Sequence, residues 1–199
     1  MQKAPLILNR RTVVRELLRE RGDLLLVAGL GTAAWDITAA GDHALNFPLW
    51  GAMGGAAVLG LGLALAQPSR KVLVITGDGE MLMGIGSLAT IAAQRPHNLR
   101  VVVLDNERYG ETGRQRTHTA SGTDLAAVAR ACGFPQVRTI RAKHEIEGLR
   151  SDVQQIDDLL LAVVKVAVAD DPLALPPRDG TYLKNRIRGA ILGPDSILR

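Results

Sequence analysis

Three continuous, largely apolar runs, each followed by a turn containing glycine or an acidic residue, limit what this sequence can fold into. The runs occupy residues 24–28, 71–76 and 99–104, and segments of helical character separate them. Unbroken apolar runs are typical of strands buried on both faces, because a half-buried strand alternates apolar and polar residues. This alternation of strands and helices predicts an α/β fold in three layers, a parallel sheet with helices on both faces.

The flanking segments predict the other elements of this fold. Asn9 is expected to cap a helix that extends to about Arg21, and Asp124 a helix that extends to Cys132. Further helices are predicted at 33–40, 52–66, 81–94 and 145–150, and further strands at 137–140 and 159–168, the last with a periodicity that fits a helix nearly as well. Residues 1–170 are predicted to form one domain, and the Pro-, Arg- and Gly-rich residues 171–199 a C-terminal arm.

Composition excludes several classes of protein. The net charge is +4 and the basic residues are scattered, so no nucleic-acid partner is expected. The single cysteine, Cys132, rules out a disulfide framework, a four-cysteine zinc site and an iron–sulfur cluster held within this chain. The most apolar stretch, 52–66, is shorter than the roughly 20 residues that a membrane helix needs, and residues 1–5 lack the features of a signal peptide. We therefore expect no membrane partner and a cytoplasmic location.

A carboxylate between two glycines follows the second apolar run. Glycines let a ligand approach the backbone closely, and the helix predicted next offers its N-terminal amides to an anion. A carboxylate beside a diphosphate needs a cation between them, and Mg²⁺ is suitable because it binds one or two protein oxygens together with phosphate oxygens. Asp78 is therefore a candidate metal ligand, although Gly77-Asp78-Gly79 also fits an ordinary turn.

The third apolar run ends in a similar way, at Asp105-Asn106. Because neighbouring parallel strands end at the same edge of a sheet, the amide oxygen of Asn106 is expected to lie near Asp78. The backbone carbonyl of Arg108 is a possible third ligand. Taken alone, this segment also fits an ordinary Asp-Asn turn.

Together these segments resemble a known family. Gly77-Asp78-Gly79, followed after 25 residues by Asp105-Asn106, is similar to the motif of thiamine-diphosphate-dependent enzymes, which is Gly-Asp-Gly and then Asn-Asn at that distance. The segment Trp50-Gly51-Ala52-Met53-Gly54 and the residues 106–110 resemble the family's flanking stretches. The resemblance covers residues 29–134 and implies the thiamine-diphosphate-binding fold.

The resemblance also implies residue roles. The side chains of Asp78 and Asn106 and the carbonyl of Arg108 would bind Mg²⁺. Met53 would hold the cofactor in a bent conformation, and the Gly51 carbonyl would accept a hydrogen bond from its 4′-amine. The full set of implied thiamine-diphosphate contacts is Gly51, Met53, Gly77, Asp78, Gly79, Glu80, Asn106, Arg108 and Tyr109. One residue departs from the motif, since Asp105 stands where the family has the first asparagine.

The resemblance further implies a partner subunit. The chain is too short to include the family's pyrimidine-binding domain, so a separate pyrimidine-binding α subunit is expected, in a hetero-oligomer that is a dimer of heterodimers or larger. The interface is predicted around residues 49–90. Residues 84–90 and 111–115 resemble the sulfopyruvate and phosphonopyruvate decarboxylase group. The implied activity is that of a decarboxylase β subunit acting on a small 2-oxoacid.

Two alternatives and one catalytic candidate stay open. The chain also fits an acetolactate-synthase-like carboligase or lyase subunit, or a catalytically silent subunit that binds the cofactor. His118 lies in a long polar stretch after the metal motif that is predicted to form a lid, and it is the candidate for proton transfer, with a solvated loop histidine as the alternative. Arg114 and Arg116 fit either an anion-binding role or ordinary surface charge.

Overall fold

A computed structural model of the chain describes residues 8–198. Within that range one parallel sheet has the strand order β2-β1-β3-β4-β8-β7, and β5 and β6 form a separate antiparallel hairpin. The strands are β1 Leu25–Ala28, β2 Asn46–Pro48, β3 Val72–Gly77, β4 Leu99–Asp105, β5 Arg108–Tyr109, β6 Gln115–Arg116, β7 Gln136–Ile140 and β8 Leu160–Lys165. The helices are α1 Arg10–Leu17, α2 Thr32–Ala39, α3 Ala56–Ala66, α4 Asp78–Met83, α5 Ser87–Gln94, α6 Leu125–Cys132, α7 Ile146–Gln155 and α8 Gly180–Leu192.

Two separate hydrophobic clusters cover the two faces of the sheet. Alternate residues of β3 belong to different clusters: Leu73 and Ile75 pack in one, and Val72 and Val74 in the other. The first cluster contains buried residues of α1, α2 and α7, and the second contains buried residues of α3, α5 and α6. The structure therefore confirms the predicted three-layer α/β fold.

The two predicted N-terminal caps, Asn9 and Asp124, are present in the structure. The Asn9 side chain accepts a hydrogen bond from the Thr12 amide at 2.9 Å, and Asp124 accepts one from the Ala127 amide at 3.0 Å. Both helices begin where the capping residues predict. The first ends at Leu17, earlier than the predicted Arg21.

The structure corrects the helix predicted at 81–94. Two helices, α4 and α5, occupy this region, and a bend at residues 84–86 separates them. At Gly84 a Cβ atom would lie 2.2 Å from the carbonyl oxygen of Gly54. The backbone of the bend therefore packs directly on the loop before α3, which a continuous helix with side chains would prevent.

The C-terminal residues contain more regular structure than an arm implies. Asp179 caps α8 by accepting hydrogen bonds from the amides of Thr181 and Tyr182. Arg186 of α8 bonds the carbonyl oxygen of Asn46 in β2 at 3.1 Å and pairs with Asp42 at 2.6 Å. This segment therefore packs against the edge strand β2. Residues 1–7, which include the start of the predicted domain 1–170 and the segment compared with signal peptides, lie outside the described residues, as does residue 199 of the predicted arm.

The order in which strands are added to the sheet reverses between β1 and β3. From β1 the chain passes to β2 on one side, and β3 then pairs with β1 on the other side. In open α/β sheets ligands bind outside the carboxyl ends of the strands at such a point. The loops after β1, β3 and β4 are therefore where a site is expected. None of the helices in the described part of the chain has the length and apolar character needed to cross a membrane.

Candidate functional site

A cleft of about 650 Å³, partly open to solvent, lies at this edge of the sheet. Its lining includes residues from the loops after β1, β3 and β4 and from the loop before α3. The lining residues are Leu30, Thr32, Met53, Gly77, Asp78, Gly79, Glu80, Leu104, Asn106, Arg108, Tyr109, Gly110, Glu111 and Thr112. Eight of the nine residues expected to contact the cofactor therefore lie together.

Two predicted residues lie elsewhere. Gly51 is exposed and does not line the cleft, although Met53 two residues later does. His118 is also exposed and does not line it. Its neighbours Thr117 and Thr119 are buried, so the chain at this point turns the threonines inward and the histidine outward.

Asp78 is a buried carboxylate of the cleft held in place by hydrogen bonds. It is the first residue of α4 and is 1% exposed. Its Oδ2 atom accepts hydrogen bonds from the hydroxyls of Thr117 at 2.5 Å and Thr119 at 3.1 Å. Burial raises the pKa of Asp78 to about 6; the hydrogen bond from Thr117 opposes this shift, and the nearby charge of Asp105 adds to it. A cation bound here would favour the ionised form of Asp78.

The segment after β4 presents the predicted amide ligand in a tight turn. Oδ1 of Asn106 accepts a hydrogen bond from the amide of Arg108 at 2.9 Å, and Oδ1 of Asp105 accepts one from the amide of Glu107 at 3.1 Å. Glu107 has φ +62°, in the left-handed region that non-glycine residues adopt uncommonly. Two successive side-chain hydrogen bonds thus fix this backbone.

The carbonyl of Arg108 faces away from the hairpin. Across the hairpin the carbonyl of Glu107 accepts from the Thr117 amide at 3.1 Å, and the carbonyl of Tyr109 accepts from the Arg114 amide at 2.9 Å. Successive carbonyls of a strand point to opposite sides. The Arg108 carbonyl between them is therefore turned away from β6, and Arg108 lines the cleft.

The adjacent strand tips bring Asp78 and Asp105 close together. Gly77 at the end of β3 pairs with Leu104 of β4, so Asp78 and Asp105 follow at the same level. Thr119 confirms this proximity, because its hydroxyl contacts Oδ2 of Asp78 at 3.1 Å and Oδ1 of Asp105 at 2.9 Å. Asn106 is the next residue.

The unexpected charge of Asp105 has a partner. Lys165 at the end of β8 places its ammonium 2.6 Å from Oδ2 of Asp105 and 3.0 Å from Oε1 of Glu107. The side chains of Asp105 and Lys165 are 4% and 8% exposed. Buried carboxylates are stable only when they are paired and hydrogen-bonded, and Asp105 is both.

Glu80 packs beneath the cleft as well as lining it. Its Oε2 atom accepts a hydrogen bond from the Thr76 hydroxyl at 2.8 Å, and a Cβ atom at Gly29 would lie 1.7 Å from the same oxygen. Burial raises the pKa of Glu80, and hydrogen bonds from Thr76 and from the backbone of the loops after β1 and before α3 partly oppose the shift. Glu80 therefore joins these loops, a role that the motif alone did not indicate.

Glycine also shapes the wall formed by α4. A Cβ atom at Gly79 would lie 2.5 Å from Cε1 of Tyr109. The aromatic ring consequently lies directly on the start of the helix. Gly77 has open space around it, so the backbone at the tip of β3 is accessible to a ligand.

Comparison with known proteins agrees with this geometry. The model of the thiamine pyrophosphate enzyme C-terminal TPP-binding domain matches residues 29–164. The chain belongs to this family. The prediction of a thiamine-diphosphate-dependent enzyme is therefore confirmed, and the family supports thiamine diphosphate as the cofactor.

Several curated relatives are named sulfopyruvate or phosphonopyruvate decarboxylases, in agreement with the predicted resemblance. Sulfopyruvate decarboxylase subunit beta of Methanocaldococcus jannaschii is 38% identical over 132 residues, which cover 66% of this chain and 70% of that protein. Phosphonopyruvate decarboxylase of Streptomyces hygroscopicus is 41% identical over 158 residues, which cover 78% of this chain but 36% of that protein. The chain thus corresponds to most of a separate subunit in one case and to about a third of a longer chain in the other.

Solved structures support the fold alone. A putative thiamin diphosphate-dependent enzyme from Mycobacterium smegmatis aligns with a TM-score of 0.68 at 22% identity, over 81% of this chain and 32% of that one. Benzoylformate decarboxylase from Polynucleobacter necessarius aligns with the same TM-score at 20% identity, over 86% of this chain and 37% of that one.

Sequence reasoning missed Thr117, Thr119 and Lys165. The two threonines lie on either side of His118, where the chain passes from β6 into a 3-10 helix over His118–Ser121. Lys165 is a lone charge within the apolar run 159–168, and a lysine is almost never fully buried unless it is paired. The sequence shows both the paired threonines and the lone lysine, but it does not indicate which carboxylates they contact.

Proposed function

We propose that this chain is the β subunit of a thiamine-diphosphate- and Mg²⁺-dependent 2-oxoacid decarboxylase that acts on sulfopyruvate, phosphonopyruvate or a similar acid. The observation that carries the proposal is the set of oxygens at two adjacent strand tips, from Asp78, Asn106 and the Arg108 carbonyl. One carboxylate, one amide oxygen and one carbonyl suit Mg²⁺, which prefers oxygen ligands and completes its shell with phosphate and water.

The residues of the cleft fit the remainder of the cofactor. The open backbone at Gly77 and the amides at the start of α4 would receive the diphosphate. Met53, which is 37% exposed, would contact the ring system at the mouth of the cleft. When bound, thiamine diphosphate supplies the electron sink for breaking the carbon–carbon bond of the 2-oxoacid, and the protein supplies binding and orientation.

The chain's own residues orient the proposed metal ligand before the metal binds. Without the metal, the buried Asp78 carboxyl holds a proton up to about pH 6. The hydroxyls of Thr117 and Thr119 fix the oxygen that they contact, leaving the carboxylate one orientation. Ligands that are already oriented lose little entropy on binding.

We also propose a pyrimidine-binding α subunit as the partner. Of the ten large apolar side chains that are exposed in the described part of the chain, five lie in the predicted interface region 49–90. They are Trp50, Met53, Val58, Leu65 and Met83. Large apolar side chains grouped on one surface are typical of protein–protein contacts. The relatives named as β subunits imply a second subunit in those enzymes.

Reconstitution tests the proposal. The chain is mixed with a candidate pyrimidine-binding α subunit from the same organism, and CO₂ release is measured with thiamine diphosphate, Mg²⁺ and a panel of 2-oxoacids that includes sulfopyruvate and phosphonopyruvate. We expect release only when both subunits are present, and loss of release in Asp78→Ala. Full activity in Asp78→Ala would contradict the metal role.

The same assay separates the alternatives. The first alternative is a carboligase of the acetolactate synthase type. The chain is 35% identical over 82 residues to the acetolactate synthase isozyme 1 large subunit of Escherichia coli. The products of a carboligase would be condensed hydroxyketoacids rather than aldehydes. A catalytically silent subunit would bind the cofactor without changing activity. Native mass measurement of the reconstituted complex would test the proposed hetero-oligomer, a dimer of heterodimers or larger.

A further inference from the structure

Lys165 is a charged residue in a strand that is otherwise apolar. β8 has the sequence Leu-Leu-Ala-Val-Val-Lys, and all six residues are buried. The lysine side chain is 8% exposed. Removing an ammonium from water is costly unless opposite charges and hydrogen bonds replace the water. A specific structural need is therefore expected at this position.

The partners of Lys165 flank the proposed amide ligand. Its ammonium contacts Asp105 at 2.6 Å and Glu107 at 3.0 Å, the residues on either side of Asn106. Lys165 and Asp105 are also directly paired residues of β8 and β4. One cation thus fixes both ends of the short turn in which Asn106 lies.

The turn needs such support because its backbone is strained. Glu107 adopts φ +62°, which a non-glycine residue holds only when its surroundings stabilise it. The Glu107 amide donates to Oδ1 of Asp105 at 3.1 Å. Lys165 holds the other oxygen of the same carboxylate, so Asp105 cannot rotate without breaking both contacts.

The same carboxylate leads to Asp78. Thr119 contacts Oδ1 of Asp105 at 2.9 Å and Oδ2 of Asp78 at 3.1 Å. A continuous set of polar contacts therefore runs from β8 to both strand tips that carry the proposed ligands.

We infer that Lys165 is a positioning residue, which holds the turn 105–108 in the conformation that presents Asn106 and the Arg108 carbonyl to the metal, and which compensates the charge of Asp105. The inference rests on the proposed metal role of Asp78, Asn106 and Arg108. Lys165 contacts neither the metal nor the substrate.

The test compares Asp105→Asn, Lys165→Met and the double variant in the full chain, together with any subunit that co-purifies. Hydrogen exchange of the Glu107 and Arg108 amides reports on the turn, with the amides of β1 as an internal reference. Mg²⁺ titration in the presence of thiamine diphosphate, followed by thermal shift, gives the apparent affinity. Lys184→Met is the matched control, because Lys184 is exposed on α8.

We expect each single variant to speed exchange of the two amides about tenfold or more relative to β1. Apparent Mg²⁺ affinity should fall about 10- to 100-fold, as is usual when partners of metal ligands are removed. The double variant should recover most of both losses, because no buried charge is left unpaired at position 105, while Glu107 keeps some contact with water. Lys184→Met should change neither quantity.

Three results would overturn the inference. Effects of the single variants that simply add in the double variant would show that the two residues are not coupled. Exchange that rises equally in β1 and in the turn would show a role in general stability only. Unchanged Mg²⁺ affinity alongside faster exchange would remove the link to the metal site.

Two controls keep the outcomes distinct. If Lys165→Met does not fold, the double variant decides: recovered folding shows that Lys165 is needed to compensate Asp105, and failure of the double variant to fold as well overturns that part of the inference. If the unmodified protein shows no Mg²⁺ response, the proposed metal site fails. The exchange rates then decide independently whether Lys165 holds the turn.

Discussion

Thr117 donates its hydroxyl hydrogen to Oδ2 of Asp78 across 2.5 Å, and both residues are 1% exposed. This contact joins the end of the hairpin formed by β5 and β6 to the first residue of α4. Because the bond is to a carboxylate and lies away from water, it is stronger than a neutral hydrogen bond. It defines the orientation of the carboxylate that we assign to the metal.

Thr117→Val should therefore weaken Mg²⁺ binding. The substitution keeps the shape of the side chain and removes the shorter of the two hydroxyl contacts, leaving the 3.1 Å contact from Thr119 to hold Oδ2 of Asp78. We expect the apparent Mg²⁺ affinity to fall about tenfold, at the lower end of the range for partners of metal ligands. Isothermal titration in the presence of thiamine diphosphate would measure it.

His118→Ala is the matched neighbour. The histidine is exposed, so its removal should leave Mg²⁺ affinity within about twofold. If the reconstituted enzyme also keeps its turnover rate, the predicted proton-transfer role of His118 is wrong. A large loss of turnover with unchanged cofactor binding would support that role instead.

Mg²⁺ binding should depend on pH through Asp78. Its pKa in the metal-free chain is raised to about 6, mainly by burial, and the metal binds only the ionised carboxylate. Apparent affinity should be constant above about pH 7 and fall about tenfold for each unit below pH 6. Affinity that does not change between pH 5 and pH 7 would contradict the assignment.

Asp78→Asn should stabilise the metal-free chain at neutral and higher pH. The pKa of Asp78 is higher in the folded chain than its ordinary value of 3.8, so folding takes up a proton between these values. The favourable contribution of the neutral carboxyl is complete below pH 3.8 and is lost as the pH rises through about 6. Asparagine is neutral throughout, so the variant should be about 1–3 kcal/mol more stable at pH 8. Urea unfolding without Mg²⁺ would show this, and added Mg²⁺ should stabilise only the unmodified protein.

Gly60 and Gly62 of α3 should respond oppositely to alanine. A Cβ atom at Gly60 would lie 2.2 Å from Cγ2 of Val74, whereas at Gly62 nothing lies within 4 Å. Gly60→Ala should destabilise the chain by about 1–3 kcal/mol through overpacking, and Gly62→Ala should stabilise it by about 0.5–1 kcal/mol through helix propensity. Urea unfolding of both variants would measure the difference; equal effects would show that α3 does not pack closely on β3.

Most of the sheet was predictable because strands buried on both faces form continuous apolar runs. β1, β3, β4, β7 and β8 all coincide with predicted runs, to within a few residues at their ends. The edge strand β2 was missed, since it has three residues and ends at Pro48. The bend between α4 and α5 was missed because it depends on contact with Gly54, which is distant in sequence.

The site was predictable only as far as the motif extends. Asp78, Asn106 and Met53 lie in segments whose order and spacing identify them. The contacts that orient Asp78 come from residues 39 and 41 positions later in the chain, and no local pattern relates a threonine hydroxyl to a particular carboxylate. The helix α8 was missed because Gly180 and Gly189 lower its propensity, although Asp179 supplies a good cap.

The direct pairing of Asp105 with Lys165 has an evolutionary consequence. Asp105 without Lys165 would leave an unmatched charge in the interior, whereas Lys165 without Asp105 would keep Glu107 as a partner, so a lineage is expected to acquire the lysine before the aspartate or together with it. Homologues that keep asparagine at position 105 should therefore be free of selection for lysine at position 165, and the two positions should vary together across the family tree.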